Sequence, residues 1–154
     1  MHDIACHHSL QLLQRDVRIT FVDRQASRHL LNASALFAAL QTKVPHISVA
    51  MFDFAALSMP EQLRIVHQDT DILVGVHGAG LTHQLFMRPG SAVVELQPNA
   101  LVNAETGTGQ MGYRNMAMMM GLDYFRIHVD VVGEIGGREG GRGGGGGRGG
   151  RGRR

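Results

Sequence analysis

The chain has one cysteine, Cys6, in 154 residues, so no disulfide can form within it and a disulfide-stapled scaffold is excluded. It has no tryptophan, and aromatic residues make up only 5% of it. A core must therefore be filled mostly by aliphatic side chains and the nine methionines. No apolar run approaches the 18 or so residues that span a bilayer as a helix. The first residues also lack the apolar stretch of a secretory signal. As written, the chain is expected to carry no membrane segment and no targeting signal.

Glycine and charge are unevenly distributed. Residues 133–154 hold 13 of the 21 glycines, six arginines and two glutamates, with Ile135 as the one large apolar residue. Such a segment cannot bury enough apolar surface to offset its chain entropy, and the composition predicts a disordered Gly/Arg tail. Residues 1–132 carry nine Lys and Arg against eleven Asp and Glu. The net basic charge is thus a property of the tail, while the remainder is mildly acidic. Repeats such as Gly147-Arg-Gly-Gly-Arg-Gly152 resemble RNA-binding Gly/Arg segments. Yet no aromatic residue follows Phe125, and no RNA-recognition signature lies upstream. Weak RNA binding by the tail, with an inert folded lobe, is the alternative reading of function.

In the rest of the chain, apolar strands alternate with helical periodicity. Strands are expected at 17–22, 47–52, 72–76, 92–96 and 124–129, and helices at 4–14, 34–41, about 59–68, 81–87 and 111–120. Ser58-Met-Pro-Glu61 reads as a capping box with proline in the first turn. This alternation predicts an α/β fold, a Rossmann-like parallel sheet with helices on both faces. One folded unit over residues 1–132 precedes the tail at 133–154. The methionine-rich stretch Met116-Ala-Met-Met-Met120 reads as core packing.

The chemistry-bearing segment is His77-Gly-Ala-Gly-Leu-Thr-His83, between a buried strand and a predicted helix. A strand-to-helix turn exposes backbone N–H groups and the positive end of a helix dipole, which together hold phosphate. Gly75, Gly78 and Gly80 are spaced GxxGxG, unlike the dinucleotide fingerprint, and no P-loop lysine follows. The candidate phosphate contacts are His77, Gly78, Ala79, Gly80, Leu81 and Thr82, with Arg24 and Arg28 as cations and Glu95 as a hydroxyl acceptor. Each has a plainer reading. His77 fits a satisfied buried histidine, His83 a packing histidine, Thr82 a cap, Glu95 a partner of an arginine, and Arg24 and Arg28 surface ion pairs. Asp71 reads as a capping or orienting carboxylate. His77 and His83, six residues apart across a turn with no HExxH or cysteine partner, make a weak metal pair, and His2, Cys6, His7 and His8, conceivable as zinc ligands, read instead as a solvated terminus.

Taken together, Glu61-Gln62 and the run from Asp69 through His77-Gly-Ala-Gly-Leu-Thr-His83 to Pro98 closely resemble glycosyltransferase family 61. Ile19-Thr-Phe-Val-Asp-Arg24 with Arg28 and Asn32 resembles the family's upstream strand and arginine element. Tyr113-Arg-Asn-Met-Ala117 and Gly121-Leu-Asp-Tyr-Phe125 resemble its closing helix and strand. The resemblance implies the C-terminal lobe of a two-lobed GT-B type enzyme. It implies an inverting transfer of GlcNAc or xylose from a UDP-sugar to a protein or glycan hydroxyl, with no metal ion. It also implies a Golgi or endoplasmic reticulum lumen location. The absence of a targeting signal and of the acceptor lobe leads to the expectation of a partial catalytic domain, with its catalytic base unassigned.

Overall fold

A computed structural model describes residues 15–23, 30–101 and 110–130. The helix expected at 4–14, the terminal His/Cys cluster and the Gly/Arg tail lie outside the described residues. Five strands, β1 (Val17–Asp23), β2 (Ile47–Asp53), β3 (Ile72–Val76), β4 (Ala92–Pro98) and β5 (Asp123–Val129), form one sheet in the order β2-β1-β3-β4-β5. Every neighbouring pair is parallel. The three inner strands are almost continuously buried, as parallel strands covered on both faces must be, whereas the marginal strands β2 and β5 mix half-buried with exposed positions.

Among the described residues three α-helices cover the sheet: α1 (Ala33–Lys43), α2 (Met59–Gln68) and α3 (Gly112–Met119). On one face α1 sets Ala33 and Phe37 against Ile19, Phe21, Val74, Val76 and Leu96. The Phe21 and Phe37 rings meet at 4.9 Å. On the other face α2 and α3 bring Ile65, Val66 and Ala117 to Val22, Leu73 and Val93. Right-handed crossovers require this division: β1 to β2 runs one way along the sheet, and all later connections run the other way. The direction reverses between β1 and β3, and in such sheets the carboxyl ends at the reversal form the ligand crevice. Asp23 and Val76 end the two strands there.

Two sequence expectations change. The segment after β3 is a 3₁₀ helix, Ala79–Phe86, and not an α-helix at 81–87. With three residues per turn, positions 81, 84 and 87 share one face. Leu81 and Gln84 are its buried residues and Met87, directly after it, is buried as well, so the tight repeat places one line of side chains inward within a short connection. The methionines of α3 are not all core. Ala117 is fully buried, but Met118 and Met119 are 62% and 86% exposed, because this two-turn helix at the sheet margin turns only a narrow stripe inward.

At the amino end of the sheet Asp71 gathers three arginines. Its carboxylate accepts from the backbone N–H and guanidinium of Arg18, from Arg15 at 2.8 Å and from Arg88 at 2.8 Å. Burial alone would raise the Asp71 carboxyl. The Arg18 hydrogen bonds and the charges of Arg18 and Arg15 outweigh it and hold the group at about 2. Asp71 therefore ties β1, β3 and the β4 approach together at the edge opposite the crevice.

Candidate functional site

The turn after β3 carries His77 and Gly78 past the carboxyl edge. The His77 N–H still belongs to the sheet, donating to Leu96 O at 2.9 Å, and the Leu81 N–H closes the first 3₁₀ turn on Gly78 O at 2.9 Å. Between them, the amides of Gly78, Ala79 and Gly80 donate to no carbonyl or side chain among the described residues. Gly78 is almost fully extended, with φ 158° and ψ 179°. Three successive N–H groups at the start of a helix, beside the β1–β3 reversal, suit an anion.

The glycines here serve packing as well. A Cβ at Gly80 would stand 2.7 Å from Val22 Cγ1, so the turn lies directly on β1. A Cβ at Gly75 would stand 3.2 Å from Leu81 Cδ2. Leu81 is fully buried and acts as the plug that seats the turn in the core. Thr82 is exposed, and its hydroxyl donates to Ala79 O at 2.5 Å.

His77 is 7% exposed and Glu95 is fully buried. His77 Nδ1 hydrogen-bonds Glu95 Oε1, and Tyr124 donates its hydroxyl to Glu95 Oε2. Arg126 Nε donates to the Tyr124 oxygen at 3.0 Å, and its guanidinium lies 3.7 Å from Glu95 Oε2. A carboxylate this deep is tolerated because each oxygen meets a donor and a cation stands behind it. Burial first, and then the Glu95 carboxylate, push the Tyr124 hydroxyl up to about 12, so it stays a proton donor at any working pH. The other ring nitrogen, His77 Nε2, lies 3.0 Å from the Oε1 of Gln110, an exposed residue. Tyr113 of α3 meets the imidazole edge-on at 5.1 Å.

His83 sits one turn along, with Nε2 2.6 Å from Gln62 Oε1 and Nδ1 3.1 Å from Gly80 O. Gln62 in turn donates to Phe54 O and Leu57 O. His83 thereby fastens the turn to α2 and to the loop after β2.

The structure thus brings His77, Gly78, Ala79, Gly80, Leu81, Thr82 and Glu95 to one edge, with Glu95 behind His77 and shielded from solvent. Arg24 and Arg28 lie outside the described residues. The buried Asp23 that precedes them closes β1 at the same edge. Tyr113 and Tyr124 enter the sequence reading only within the segments that resemble the family's closing helix and strand, without a site role, and Arg126 and Gln110 not at all. A signal existed for two of them. Tyr124 and Arg126 alternate with exposed positions of β5, and a buried glutamate on β4 demands donors from the strand beside it, where Glu95 is registered with Arg126. Among the described residues no three His, Cys, Asp or Glu side chains converge as a metal site. Nor is any helix among them long and apolar enough to cross a membrane.

The glycosyltransferase 61 family model matches residues 2–94. The chain is 37% identical over 110 residues to the EGF domain-specific O-linked N-acetylglucosamine transferase of Mus musculus, covering 70% of the chain and 19% of that protein. The like-named Drosophila melanogaster protein is 33% identical over 116 residues, covering 72% of the chain and 20% of that protein. That of Rattus norvegicus is 42% identical over 82 residues, covering 52% and 15%. The chain spans about a fifth of the length of these relatives.

Proposed function

On the premise that this chain belongs to the glycosyltransferase 61 family, we propose that the carboxyl edge of its sheet binds the diphosphate of a UDP-sugar. The observation that carries the reading is the run of amides at Gly78, Ala79 and Gly80, unspent among the described residues, next to the outward nitrogen of His77. Donors held in place there would meet the negative charge that grows on UDP as it leaves. That is the electrostatic part of catalysis, and it requires no rearrangement at the moment of reaction.

The proposed reaction is a single displacement. An acceptor hydroxyl oxygen forms a bond to the anomeric carbon, the bond from that carbon to the diphosphate oxygen breaks, and the electron pair departs with UDP. The hydroxyl proton passes to a base that we leave unassigned. The names of the relatives favour UDP-N-acetylglucosamine as donor and a protein hydroxyl as acceptor. UDP-xylose and a glycan acceptor are the neighbouring possibilities in the proposal. The lobe would be the donor half of a GT-B type enzyme, working in the Golgi or endoplasmic reticulum lumen where such acceptors are exposed. Arg24 and Arg28 enter the proposal as cations for the diphosphate.

Calorimetric titration with UDP and UDP-N-acetylglucosamine tests this. Saturable binding of both is expected. A folded sample that releases no heat and shows no competition between them rejects the donor site.

A further inference from the structure

Glu95 has no open face for a ligand. Its Oε1 is taken by His77 and its Oε2 by Tyr124, and it is fully buried. The proton directions in this chain of contacts follow from chemistry. Arg126 Nε can only donate, so the Tyr124 oxygen accepts from it and turns its one hydrogen to Glu95. Glu95 is left as an acceptor with a guanidinium 3.7 Å behind it. His77 Nδ1 must then donate, and its hydrogen is held on the inner side of the ring. Nε2 is the nitrogen that faces outward, toward the exposed Gln110.

We propose that Glu95 is a positioning residue which holds the His77 hydrogen on Nδ1, so that diphosphate binding at Nε2 takes up a proton. This rests on the donor-site reading above. A diphosphate oxygen carries no hydrogen and can only accept. With Nδ1–H tied to Glu95, Nε2 offers a donor only when the ring gains a second proton. The imidazolium so formed lies between the Glu95 carboxylate and the diphosphate, and it makes a charge-assisted bond to each. In the structure the carboxamide oxygen of Gln110 lies at Nε2, a contact to which only the charged ring donates, and a half-turn of that carboxamide puts its NH2 there as donor to the neutral ring of the free protein. Among the described residues, the charged or titratable groups around the ring are Glu95 from β4, Tyr124 and Arg126 from β5 behind it, and Tyr113 from α3 at its edge. Tyr124 stays neutral.

Glu95→Gln separates this from a purely structural role. A carboxamide can donate to Nδ1 as readily as accept from it. The neutral ring could then place its hydrogen on Nε2 and meet the diphosphate with no proton gained. Two measurements on the full chain decide the matter. Nitrogen-15 NMR of the ligand-free protein, at a pH where the ring is neutral, is expected to show His77 hydrogen on Nδ1 in the wild type and in Tyr124→Phe, and a loss of that preference in Glu95→Gln. A wild-type ring with its hydrogen on Nε2 overturns the proposal whether or not any variant folds. Calorimetry with UDP-N-acetylglucosamine, whose diphosphate is a diester with no proton titrating near neutrality, is repeated in buffers of different ionisation enthalpy. Uptake of up to about one proton per nucleotide sugar is expected for the wild type, with loss of that uptake in Glu95→Gln. Equal uptake in both proteins overturns the proposal. Absence of binding by the wild type rejects the donor site, while the NMR result still decides the His77–Glu95 relationship.

Discussion

Gly80 and Val22 touch with no room between them: a single added carbon at Gly80 would lie 2.7 Å from Val22 Cγ1. The turn that presents the amides is thus pressed onto β1 by the absence of a side chain. Gly80→Ala should destabilise the chain by about 1–3 kcal/mol through overpacking. Val22→Ala costs stability of its own as a core truncation, but it removes the opposing methyl, so the double variant should lose less than the sum of the two single losses. Urea unfolding of the two single variants and the double variant checks this, and additive losses would show that the two positions do not meet.

Asp71 predicts how stability responds to acid. Its folded-state value of about 2 lies below the ordinary 3.8, so its contribution is present above the unfolded value and is lost as pH falls through the folded one. Asp71→Asn should cost about 2 kcal/mol near neutrality, with the gap to the wild type closing between pH 4 and pH 2, roughly the span of the two values. Denaturant midpoints across that range measure it. A gap that stays constant with pH would mean that the arginine cluster does not act through the ionised carboxylate.

Tyr124→Phe removes one of the two donors that satisfy Glu95, and also the acceptor of Arg126 Nε. The expected loss is about 1–3 kcal/mol, the penalty for leaving a buried acceptor short of a partner. Thermal unfolding reports it. A neutral effect would mean that Arg126 closes on Glu95 and replaces the hydroxyl.

His77→Ala should weaken binding of UDP and UDP-N-acetylglucosamine by about tenfold or more, the worth of one hydrogen bond to a charged group. The amides at Gly78, Ala79 and Gly80 would remain, so binding should weaken and not vanish. Calorimetry on the folded variant tests this, and unchanged affinity would place the diphosphate elsewhere.

What the chain determined without a structure was local. Val17–Asp23, Ile47–Asp53, Ile72–Val76, Ala92–Pro98 and Asp123–Val129 each announce a strand by short apolar or alternating runs, and the helices between them imply parallel pairing. The turn His77-Gly-Ala-Gly-Leu-Thr-His83 was visible as a junction for the same reason, since its glycines interrupt two periodic segments. Periodicity reports which face of an element is apolar, but it is silent on which distant residue will stand opposite. The pairing of His77 with Glu95 and of Glu95 with Tyr124 depends on the register of β3, β4 and β5, and only packing selects that register. The same holds for the arginines that meet at Asp71, two from the start of β1 and one from the approach to β4. The 3₁₀ form of Ala79–Phe86 was also decided in three dimensions, because seating Leu81, Gln84 and Met87 on the sheet within so short a crossover outweighs the intrinsic preference of those residues for an α-helix.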